Sequence, residues 1–155
     1  MLNVTAMKYH LMTSLPESEA CLKLTSSGTR GQKTQVWFDK ASLDRVQGML
    51  DVLWAQESMV SSHPTNYVNF IYDPEDAKDL GISFSVKNEE RFAPALSSFF
   101  AVRKNSLGAW EFRIEETVAK LREVATAPHP VRILGIPSFI FELLERLRGD
   151  KRGIT

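Results

Sequence analysis

The chain has 155 residues, of which 43% are apolar and 25% charged, with a formal net charge of zero at pH 7. That length and balance describe one domain, residues 1–155, with a sizeable core, and argue against a disordered chain. Zero net charge argues against a dominant electrostatic partner such as duplex DNA or an anionic membrane, and no apolar run approaches the roughly 20 residues needed to span a bilayer.

In chain order, residues 3–13 read as a strand, because Met7, Tyr9 and Leu11 alternate with Lys8, His10 and Met12. Residues 20–26 and 34–38 read as two further strands joined by a basic, glycine-bearing tip, Ser26 to Lys33. A helix follows over about 41–57, with Leu43, Val46, Leu50, Leu53 and Trp54 on one stripe and Asp39 or Ser42 as its cap. The run from Ser58 to Asn66 is a loop, since the residue before Pro64 avoids helical geometry. Residues 66–72 are aromatic and β-branched on both faces, which suits a central strand.

Asp73-Pro74-Glu75-Asp76 opens a short helical turn that Gly81 ends. Residues 82–87 alternate cleanly, with Ile82, Phe84 and Val86 opposite Ser83, Ser85 and Lys87. A helical turn near 94–98 leads to a strand through Lys104, a turn over 105–108 and a strand from Trp110 to Ile114. A helix over about 115–126 carries Val118, Leu121 and Ala125 inward. The last helix, 137–148, opens with Pro137, and Ile136, Ile140, Leu143, Leu144 and Leu147 form its buried face.

The reading is α+β: a twisted antiparallel sheet of about six strands with two or three helices on one face. A hairpin whose second strand runs into an amphipathic helix occurs over residues 22–53 and again over 99–125, so two such units are expected.

Chemical motifs are sparse. His10, His63 and His129 have no second ligand at metal spacing, so no metal and no cofactor are expected. His63-Pro64-Thr65 has the His-x-Thr pattern of 2H phosphoesterases, but the second motif that those enzymes need is missing. Gly28-Thr29-Arg30-Gly31-Gln32-Lys33-Thr34 lacks the contiguous Gly-Lys-Ser/Thr and the following helix of a Walker loop, although Arg30 and Lys33 can touch a phosphate from the tip. Cys21 is the only cysteine; it excludes an intrachain disulfide, and its default is a buried structural thiol. With no charged leader ahead of an apolar run, these features point to the cytoplasm.

Aromatic residues on the expected strands, Trp37, Tyr67, Phe100 and Trp110, interleave with cations, as on surfaces that stack and neutralise single-stranded nucleic acid. Residues 102–155 add a modest basic excess. The repeated hairpin, strand and helix resembles the arrangement of PUR-repeat and PC4-type single-strand binders. The expectation is therefore a non-enzymatic binding module, with no catalytic residue, contacting single-stranded nucleic acid through Arg30, Lys33, Lys87, Arg103, Lys104 and Arg113. Its alternative is a protein-interaction or regulatory module, an inhibitor or adaptor, acting through helix 137–148 on a protein partner or as a homodimer. Phe139 and Phe141, off the buried face, would form that interface.

Overall fold

The computed structural model describes residues 6–26, 33–77 and 88–150. They fall into two compact units, the first running to Met59 and the second starting at Val60. The architecture is mixed α and β, as the sequence indicates. The described strands form one sheet of two and one of four, accompanied by three helices longer than a single turn.

In the first unit, β1 (Leu22–Thr25) pairs antiparallel with β2 (Gln35–Phe38), Leu22 opposite Phe38 and Thr25 opposite Gln35. The hairpin is closed beside its connection by Ser26, whose N–H donates to Thr34 O at 2.9 Å. Its hydroxyl oxygen accepts from the Thr34 N–H, also at 2.9 Å. Helix α1 (Lys40–Gln56) begins where the Asp39 carboxylate accepts from the Ser42 N–H at 2.6 Å, satisfying one of the exposed first-turn donors. It stops at Ser58, whose φ of +55° is left-handed and does not propagate a helix.

Two expectations change in this unit. Ala6–Tyr9 is one helical turn rather than a strand, with the His10 N–H donating to Ala6 O at 2.9 Å. Ala, Met and Lys favour helix, and Leu11 beside Met12 breaks the alternation that a strand needs. Cys21 is exposed rather than buried, its thiol 3.3 Å from Phe38 O.

In the second unit the sheet order is β5-β4-β3-β6. The central strand is β3 (Thr65–Tyr72), buried along all but its last residue. β4 (Ala95–Lys104) and β6 (Val131–Gly135) both run parallel to it, and β5 (Trp110–Phe112) runs antiparallel to β4. The sheet is thus mixed, not antiparallel throughout. A parallel pair needs a crossover of a dozen or more residues. Residues 73–94 link β3 to β4, and residues 105–130 carry the chain from β4 to β6 on the other side of β3.

The β4–β5 hairpin is set by Asn105, whose side-chain oxygen accepts from the N–H of Leu107 and of Ala109, each at 3.0 Å. Gly108, at φ +77°, takes the left-handed position that this turn requires. Helix α2 (Ile114–Ala125) follows β5, and α3 (Pro137–Leu147) follows β6.

Both helices pack on the sheet. Val68, Phe70 and Ala101 meet Val118, Leu121, Val124 and Leu143 in one apolar cluster. On α3 the inward face is Phe139, Ile140, Leu143 and Leu147, whose spacings of one, three and four residues fall on one side of a helix. Leu144, expected inside, is 56% exposed. The strand expected over 82–87 and the helix end at Gly81 lie outside the described residues.

Candidate active site

Ligands of open parallel sheets sit beyond the carboxyl ends of the strands. At that edge of the second unit β3 ends in Tyr72, β4 in Lys104 and β6 in Gly135. Four aromatic rings gather there. The Tyr72 and Trp110 centroids are 4.7 Å apart and nearly edge-on, Phe112 and Phe139 are 5.2 Å apart, and Tyr72 lies 6.3 Å from Phe139. Pairs at these spacings attract through their ring quadrupoles as well as through buried area. Trp110 remains 40% exposed, so the cluster presents an open apolar wall.

Charged groups rim this wall. Lys104 sits directly across from Trp110 in the antiparallel pair, its Nζ 5.1 Å from the indole centroid. Arg103 Nε is 3.2 Å from Asp73 Oδ2, near enough for an ion pair although not aligned as a hydrogen bond. Asp76 accepts from the Lys104 N–H at 3.1 Å. Beside the wall, Gly135 adopts φ +142°, and a Cβ there would come within 2.5 Å of Phe70 O. The Ile136 N–H donates to that same oxygen at 3.0 Å, drawing the start of α3 against β3.

The residues singled out from sequence scatter over this frame. Arg30 and Lys87 lie outside the described residues. Lys33 is exposed just before β2. Arg103 and Lys104 stand together at the carboxyl edge. Arg113 occupies the cap position of α2 and pairs with Glu116 at 3.1 Å. Phe139 belongs to the aromatic wall, whereas Phe141 points outward and is 65% exposed.

A second polar group, not legible in the sequence, lies toward the amino ends of the parallel strands. The Tyr67 hydroxyl donates to Ala93 O at 2.9 Å, and Arg132 lies 6.0 Å from the Tyr67 ring. Burial pushes the Glu89 carboxyl above its ordinary range, the Arg132 charge opposing it, and burial likewise raises the Tyr67 phenol. Asn69, fully buried in mid-strand, has no hydrogen-bond partner for either side-chain atom among the described residues. These groups come from distant parts of the chain, and only strand pairing brings them together.

The first unit holds an open cavity of about 400 Å³, whose lining includes Thr13, Ser14, Glu19, Trp37, Asp39 and Ser42. No helix among the described residues is long and apolar enough to cross a membrane.

The family model described as acyl-protein synthetase, LuxE, matches residues 1–152. No curated protein matches the chain. The family match overturns the non-enzymatic reading, both as a single-strand nucleic-acid binder and as a regulatory or interaction module acting through helix 137–148. Cations beside aromatic rings on strands also occur at the mouth of an α/β enzyme's sheet, so that pattern alone did not discriminate.

Proposed function

The chain belongs to the LuxE acyl-protein synthetase family, and from that premise we propose that it takes part in activating a carboxylic acid for transfer to a protein nucleophile. A free carboxylate acylates nothing, because its oxygen is a poor leaving group. Activation joins that oxygen to a phosphorus of a nucleoside triphosphate, and the remaining phosphate chain leaves. The protein nucleophile then attacks the acyl carbon, and the phosphoryl oxygen departs with the bonding electron pair.

The aromatic wall carries this reading. Tyr72, Trp110, Phe112 and Phe139 offer an apolar surface for an acyl chain, beside Lys104 and the Arg103–Asp73 pair. The Lys104 ammonium, in no ion pair among the described residues, suits the carboxylate end of the chain.

Calorimetric titration with a saturated long-chain fatty acid and with acetate tests the wall. Trp110→Ala should weaken long-chain binding about tenfold, roughly the 1.4 kcal/mol of one or two methylenes, and leave acetate unchanged. Equal long-chain affinity in the parent and Trp110→Ala would exclude the wall as the acyl surface.

A further inference from the structure

The acyl reading brings the charged end of a chain to the carboxyl edge of the second unit, where the two cations are unequally committed. Lys104 gives only its backbone N–H to Asp76 Oδ2, at 3.1 Å, and its ammonium is in no ion pair among the described residues. Arg103, the residue before it on β4, has its charge compensated: Asp73 Oδ2 stands 3.2 Å from Nε, and the Asp73 side chain is only 17% exposed. Asp73 is itself held in place. Its N–H donates to Val102 O at 2.8 Å, and its Oδ1 accepts from the Glu75 N–H at 3.0 Å. Glu111 lies across from Arg103 in β5, but no ion pair joins the two. The Asp73 pair spends the charge of Arg103 without spending its donor, because the buried Nε makes no hydrogen bond among the described residues.

We propose that Asp73 sets the head-group specificity of the acyl site: by neutralising Arg103 it admits a singly charged carboxylate and rejects a doubly charged phosphate monoester. The inference rests on the aromatic wall being the acyl surface. A carboxylate needs one cation, and Lys104 supplies it. A phosphate monoester carries nearly two charges at about pH 7.5. Its second charge would face the carboxylates of Asp73 and Asp76 with no uncompensated cation to meet it. Without the Asp73 charge, Arg103 would meet it, since the forked guanidinium donors match phosphate oxygens.

The probes are decanoate and decyl phosphate, which share one chain and differ in head group. Each is titrated into the full chain by calorimetry at low salt and about pH 7.5. The parent should bind decanoate the more tightly. Asp73→Asn keeps an oxygen for the Glu75 N–H and should raise the affinity of decyl phosphate relative to decanoate at least fivefold. The same substitution in an Arg103→Gln background should change that ratio less than twofold, because the cation it frees is gone. Arg103→Gln alone leaves Asp73 uncompensated and should move the ratio further toward decanoate, which gives a reading even if Asp73→Asn fails to fold. A parent that prefers decyl phosphate, an unmoved ratio in either single variant, or an equal rise in both backgrounds would overturn the proposal. Equal decanoate affinity in the parent and Trp110→Ala would remove the acyl surface and this inference with it. A wall that passes that test beside an unmoved ratio removes this inference alone.

Discussion

Gly135 is the residue whose replacement the backbone tolerates least. Alanine there would need φ near +142° and would drive its Cβ to 2.5 Å from the Phe70 carbonyl oxygen, so β6 could not stay paired with β3. Gly135→Ala should lower unfolding stability by about 2–4 kcal/mol, read from urea midpoints at unchanged slope. Asn69 predicts the opposite sign. Its amide is buried with neither atom bonded, so Asn69→Leu should raise stability by about 1–2 kcal/mol. A lowered midpoint would mean that the amide does have a partner. Glu89 gives a pH signature. Its folded pKa is raised, so the folded state holds the proton more tightly than the unfolded one. Its contribution is fully present below about pH 4.5 and is lost as pH rises through the folded value. Glu89→Gln should therefore gain on the parent in thermal midpoint at pH 7 and match it near pH 4. None of these three residues stood out in the sequence, because each depends on what strand pairing sets against it.

At the scale of elements, the boundaries of α1, α2 and α3 were readable because apolar residues recur at three- and four-residue spacing and because Asp39 and Pro137 mark two of the starts. The Asn105–Gly108 turn was readable for a similar reason: Asn and Gly are the residue types that its hydrogen bonds and positive φ demand. β6 was not recognised. Val131-Arg132-Ile133-Leu134-Gly135 is short and sits between two prolines, and no strand was assigned to it. Without it, nothing in the sequence required a parallel sheet, and the carboxyl edge that carries the candidate site could not be located. Trp110 and Phe112 were placed on a strand correctly. Phe139 was assigned to an interface because helical periodicity was drawn through Leu144 instead.

For the whole molecule, net charge decides one question. The formal charge is zero, Arg103 and Arg113 are paired with carboxylates, and Lys104 lies over an indole. A fluorescent single-stranded oligonucleotide should therefore show no rise in anisotropy even at about 50 mM salt, where phosphate contacts are strongest. Tight binding there would reopen the discarded reading. The sheet order also has a bearing on how the chain acquires its structure. β3 holds the centre, yet one of its two neighbours arrives late: Asn66 lies opposite Val131, so 131 − 66 = 65 residues separate paired positions. Closing so long a segment delays the central pairing relative to helices and hairpins, which form from neighbours. The β4–β5 hairpin can form early in refolding, while β3 waits with one edge unpaired until β6 docks, and that interval is when the second unit is most open to aggregation.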